Sequence, residues 1–180
     1  MQKKKIGKAK AVSTVTDPRA SPCPPLSVLI FNNADTIPVY HDGRLKDTFR
    51  KSVDALEEGS SLVIFPEQNV RYNHIIYDFQ ERFIDLARFY YKRTGRPLSF
   101  VPVYYAPKLG KAVIGSAVSC DPKKPFSEER ARIRSELMAQ LTEMARALPP
   151  HTVVPYRNIP KKYYPLNTDT DWSPEGVSGR

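Results

Sequence analysis

The sequence holds no apolar run approaching the roughly twenty residues that cross a bilayer as a helix, so any contact with a membrane is peripheral. It has only two cysteines, Cys23 and Cys120, too few for a secreted disulfide scaffold and without histidine neighbours at metal-ligand spacing. A reduced, cytoplasmic setting is the expectation. Lys3, Lys4, Lys5, Lys8 and Lys10 crowd the N-terminus with no apolar stretch behind them, which excludes the hydrophobic region of a signal peptide. There is no glycine-rich phosphate loop, no GxSxG elbow, no cluster of metal ligands and no internal repeat. Those absences remove the commonest nucleotide, serine-hydrolase and zinc readings, and neither a metal nor a bound cofactor is expected.

What is present is a chain of 180 residues with net charge +9, long enough for one domain with an interior that folds without disulfides. The charge is uneven. Residues 1–19 carry six basic side chains against Asp17 alone, so the remainder is only mildly basic. A basic, proline-containing leader is either a solvated disordered segment or a contact for anionic lipid or RNA. Lys161, Lys162, Tyr163 and Tyr164 repeat the basic and aromatic mix near the other end. No RNA-binding module pattern accompanies them, so an anionic membrane surface is the expected partner and nucleic acid is not.

Along the chain, residues 1–25 show neither a helical nor a strand period. An apolar run, Leu26 to Phe31, is followed by turn formers and by the short extended piece Ile37 to Tyr40. Phe49, Val53 and Leu56 predict a helix over Lys46 to Glu58, stopped by Gly59, which feeds a strand at Leu62 to Phe65. Phe79, Phe83, Ala87, Tyr90 and Tyr91 predict a second helix of about four turns ending at Gly95. Its aromatic stripe reads as core, with Tyr90 and Tyr91 beside Lys92 and Arg93 as a second, interfacial reading. Strands are expected at Leu98 to Tyr105, broken by Pro102, and at Ala112 to Val118. A third helix has Ser127 as N-cap, Glu128 and Glu129 at its positive end, and Ile133, Leu137, Leu141, Met144 and Leu148 as its apolar stripe. Pro149 and Pro150 end it. This order predicts an α/β fold with a mostly parallel sheet flanked by helices. The domain organisation is a leader over 1–25, the α/β domain over 26–150, and a Pro/Tyr/Lys-rich tail over 151–180 whose last dozen residues look disordered.

One strand end draws attention. The β-branched run after Gly59 leads directly into Pro66 and Glu67, with Arg71 four residues on. Ligands of open α/β sheets bind beyond the carboxyl ends of strands, which makes Glu67 and Arg71 candidates to meet a substrate. Glu67 also reads as a cap or surface carboxylate.

Several landmarks occur in a telling order: Ile37-Pro-Val-Tyr-His-Asp, Leu56-Glu-Glu-Gly, Leu62-Val-Ile-Phe-Pro-Glu, Phe100-Val-Pro-Val and Ile114-Gly. Together they resemble the phospholipid/glycerol acyltransferase family, to which lysophosphatidic acid acyltransferases belong, over about Leu26 to Leu148. The resemblance implies transfer of a fatty acyl group from acyl-CoA or acyl-ACP, as co-substrate, to the free hydroxyl of a 1-acyl-glycerol-3-phosphate-like lysophospholipid at the cytoplasmic membrane face. It also implies that Pro66, Glu67, Arg71 and the position of His41 hold the glycerol phosphate, for which arginine's planar fork is suited.

The family's catalytic element is a histidine and an aspartate spaced H-x4-D, the histidine as general base and the aspartate fixing its tautomer. Here His41, His74 and His151 are the only histidines, and none has an aspartate five positions later. No catalytic residue is therefore assigned. His41 stands where the family has arginine, and Gln68-Asn-Val-Arg71 replaces glycine-threonine-arginine, which sets Arg71 one residue late. The expectation is an N-terminally truncated, acyltransferase-like fold with little or no acyl transfer. A rival uses His41 as base. His41 and Asp42 are adjacent and point to opposite faces of an extended strand, whereas His74 and Asp78 would share a helical face in a structural role. An alternative from another class is a non-catalytic module that binds anionic lipid or regulates a complete enzyme.

Overall fold

The computed structural model describes residues 9–13, 36–39, 44–155 and 159–169. The chain divides into two units, Met1–Phe65 with Phe89–Arg96, and Pro66–Arg88 with Pro97–Arg180.

In the first unit, strands β1 (Ala9–Ser13), β2 (Ile37–Pro38) and β3 (Ser61–Ile64) form a parallel sheet in the order β2-β1-β3. The sequence predicts no regular structure before residue 25, yet β1 is the central strand, pairing Val12 with both Ile37 and Ile64. Parallel strands of one sheet need a crossover, and helix α1 (Leu45–Glu57) carries the chain from β2 to β3, on opposite sides of β1. The helix packs Ala55 against Ile37, with Val39, Leu62 and Ile64 around them. It ends as the sequence predicts. Gly59 takes φ +83°, and the amides of Ser60 and Gly59 donate to the carbonyls of Ala55 and Leu56 at 2.9 and 3.1 Å, a Schellman closure that a side chain with Cβ would strain. Arg93 bridges Asp54 and Glu57 of α1 at 2.5 and 2.6 Å.

The second unit contains three separate antiparallel pairs. Strand β4 (Glu67–Tyr72) pairs with β5 (Tyr77–Phe79), β6 (Ser99–Phe100) with β9 (Val118–Ser119), and β7 (Val103–Ala106) with β8 (Lys111–Ile114). Helix α3 (Phe126–Arg146) belongs to this unit, while helix α2 (Asp85–Thr94) has its first residues here and Phe89–Thr94 in the first unit; three α-helices occur among the described residues. Ile84 and Ile133 are fully buried, each worth roughly 1.5–3 kcal/mol of transfer free energy, in a core shared by the strand pairs and α3.

The expected mostly parallel sheet flanked by helices, the acyltransferase-like fold, is therefore incorrect: the only parallel sheet among the described residues has three strands. Two local causes are visible. The segment after Glu67 turns back on itself, because Asn73 Oδ1 accepts from the amides of Ile75 and Ile76 at 3.0 and 2.6 Å while His74 adopts φ 69°. Phe79 consequently belongs to a strand, and α2 begins at Asp85 and is shorter than the aromatic spacing predicts. Second, Pro102 has no N–H to give to a ladder, so the expected strand splits into β6 and β7, which take different partners. The carbonyl of Pro102 accepts from Gly115 at 2.9 Å. A Cβ on Gly115 would stand 2.8 Å from the Pro102 ring, so that bend needs glycine. Helix α3 starts at Phe126 behind Pro125, and Ser127 is not its cap.

The described parts of the tail, residues 151–155 and 159–169, are bonded to each other. Val153 donates to Pro165 at 2.8 Å, Asn167 to the His151 carbonyl at 3.0 Å, and Thr152 bridges Leu166.

Candidate functional site

Glu67 stands directly after Pro66, at the start of β4, and its side chain turns inward. Its Oε2 accepts from the amide of Tyr77 at 3.0 Å on the facing strand. Burial pushes the Glu67 carboxyl above its usual value of 4.5, and the Tyr77 amide offsets only part of that. Pro66 closes the foot of the same hairpin, its carbonyl accepting from Gln80 at 2.8 Å.

Three tyrosines lie with Glu67. The rings of Tyr72 and Tyr77 pack in a tilted arrangement with centroids 4.5 Å apart, and the Tyr72 hydroxyl donates to the His74 carbonyl at 2.6 Å. Burial, then the nearby Tyr77, Glu67, Tyr104 and Asp169, push the Tyr72 phenol well above its usual 10. Tyr104 is pushed up by burial and by Glu67. All these groups would be anionic if ionised, so the low-dielectric surroundings hold the phenols neutral.

Tyr104 continues the network to the tail. Its hydroxyl is 2.9 Å from His151 Nε2, and His151 Nδ1 is 2.8 Å from the Pro149 carbonyl. A carbonyl only accepts, so Nδ1 carries a proton, and in the neutral ring Nε2 accepts from the phenol. Asn167 fixes the other side: its Oδ1 accepts from the His151 amide at 2.8 Å, and its Nδ2 donates to the Ala145 and Leu148 carbonyls at 2.8 and 3.2 Å. One fully buried amide thus satisfies carbonyls at the C-terminal end of α3 and anchors the tail.

Arg71 points the other way. Its side chain is 82% exposed, and Nε is 3.7 Å from Asp78 Oδ2. Arg134 binds the same carboxylate at 3.0 Å from α3. Two guanidinium groups therefore flank Asp78. A register irregularity between Glu67 and Tyr72 breaks the strict alternation of β4, and Glu67 and Arg71 do not share one site. His41 and Asp42, like Leu26 to Phe31, lie outside the described residues. His74 and Asp78 lie on a turn and a strand, not on a helix face. His74 is buried, and its Nε2 accepts from Arg146 at 3.2 Å, since a guanidinium only donates.

Sequence reasoning missed Tyr72, Tyr77, Tyr104 and Asn167 as site residues. No spacing announces them, because the contacts join positions 47 and 16 residues apart. Among the described residues no helix is long and apolar enough to cross a membrane, and no group of three or more His, Cys, Asp or Glu side chains is placed to hold a metal ion.

Comparison with protein-family models, curated proteins and solved structures finds no match for this chain.

Proposed function

We propose that these 180 residues are an acyltransferase-like polypeptide that engages a lysophospholipid acceptor of the 1-acyl-glycerol-3-phosphate class and does not by itself transfer the acyl group. The observation that carries this is the ordered set of sequence landmarks from Ile37 to Gly115, with Phe65-Pro66-Glu67 leaving the carboxyl end of β3. The sheet architecture is not among its supports.

The surface around Asp78 supports a phosphate contact. Among the described residues Arg71 is held by one long ion pair, its own side chain exposed and Asp78 largely buried, and a pair of that length holds an exposed guanidinium weakly. A phosphate monoester offers the same guanidinium two or more oxygens and a larger charge, so exchange of Asp78 for phosphate is favourable.

Acyl transfer requires a base to take the proton of the acceptor hydroxyl as its oxygen attacks the thioester carbonyl and the C–S bond breaks, the thiolate finally receiving a proton. His151 has both ring nitrogens engaged inside the tail network. The Nε2 lone pair of His74 is directed at Arg146. With H-x4-D absent from the sequence, the aspartate-oriented histidine that this step uses in the family is missing.

The acceptor half is tested by equilibrium binding of lysophosphatidic acid, below its aggregation concentration and without acyl donor, with lysophosphatidylcholine as control. Saturable binding that prefers the phosphate monoester and weakens about fivefold or more in Arg71→Glu is expected. Equal binding of both lipids, or none, overturns the proposal.

A further inference from the structure

The hairpin β7–β8 has two unlike faces. Tyr104 and Ala106 point into the core, whereas Val103 and Tyr105 are 55% and 64% exposed. The antiparallel register places Ile114 opposite Val103 and Ala112 opposite Tyr105, so these four residues form one outward face. Ile114 is 70% exposed and the preceding Val101 49%, which extends the apolar character beyond scattered single residues. The turn between the strands carries the exposed Lys108 and leads into the exposed Lys111. No acidic residue occurs anywhere from Leu86 to Cys120, a stretch that includes six basic ones.

We infer that the outer face of this hairpin docks on an anionic membrane surface. Valine, isoleucine and an amphipathic tyrosine suit the boundary between headgroups and acyl chains, and lysines at the rim meet the lipid phosphates. Charge decides against a second copy of this chain as the occupant. Face-to-face pairing would bring Lys108 and Lys111 of one copy onto a hairpin that has no carboxylate of its own to meet them. The docking is peripheral, since a short hairpin face shields no backbone across a bilayer.

This surface is separate from the acceptor contact at Arg71, and its test uses neither lysophospholipid nor acyl donor. The full chain is co-sedimented with vesicles of phosphatidylcholine alone and of phosphatidylcholine with phosphatidylglycerol, at low and high salt. Salt-sensitive binding to the anionic vesicles is expected. Val103→Asp/Ile114→Asp is expected to lower the partition coefficient about tenfold or more, and Lys108→Glu/Lys111→Glu to do the same. Circular dichroism checks that each variant is folded, and if the apolar pair fails to fold the lysine pair decides. The lysines of residues 1–10 are unchanged in every variant, so the criterion is the loss caused by the hairpin changes. Absence of binding by the full chain, binding unchanged by the folded variants, or a dimer that Val103→Asp/Ile114→Asp dissolves would overturn the inference. None of those results would touch lysophosphatidic acid binding at Arg71.

Discussion

Tyr104 and His151 meet in the interior of the second unit, with the phenolic oxygen 2.9 Å from Nε2 although 47 residues separate them in the chain. The contact ties β7 to the tail. Tyr104→Phe keeps the ring and removes the donor, leaving a buried imidazole nitrogen without its hydrogen bond. A loss of about 1–2 kcal/mol is expected in denaturant unfolding. No measurable loss would mean that the hydrogen bond contributes nothing to holding the tail.

Asn167→Ala is expected to cost more, about 3 kcal/mol, because it strips one buried group that serves the His151 amide and the Ala145 and Leu148 carbonyls together. Hydrogen exchange should then show the tail opening before the rest of the unit. A stability change below about 0.5 kcal/mol would contradict the anchoring role.

The local signals that the sequence carries are those of single elements. The helix ending at Gly59 and the strand leading to Pro66 are legible because a 3.6-residue period, a left-handed glycine and a β-branched run each act over a few residues. Strand pairing was not legible, and the mostly parallel sheet expected from the element order is wrong, since a sheet depends on which strands pair. Asn73 and His74 reverse the chain after Glu67, and Pro102 divides one expected strand between two partners. Glu67 and Arg71 read as candidates for one substrate site because both follow the strand at Pro66, but their directions were not legible: the irregularity in β4 accompanies a Glu67 turned inward and an Arg71 left outside. Nothing in the spacing of Tyr104, His151 and Asn167 predicts a network that exists only after the tail folds back.

Stability should respond to pH in opposite directions through Glu67 and Glu129. The folded-state carboxyl of Glu67 sits above 4.5, so between 4.5 and that raised value the folded state holds more protons and stability falls as pH rises. The Glu129 carboxylate accepts from Arg132 at 2.8 and 2.9 Å, which brings it down to about 2. Its contribution is complete above 4.5 and is lost as pH falls toward 2. In urea titrations across this range, Glu67→Gln should abolish the decline above 4.5, and Glu129→Gln the decline below it. An unchanged pH profile in either variant would contradict the assignment of that window.

Acceptor binding without acyl transfer is the proposed behaviour of these residues. It is tested most directly by thiol release from an acyl-CoA in the presence of lysophosphatidic acid, using the purified, folded chain beside Glu67→Ala and His41→Ala. Addition of acceptor is expected to cause no release above background in any of the three. Acceptor-dependent release by the chain that falls in Glu67→Ala or His41→Ala would contradict it, and would mean that these residues build a working site without H-x4-D.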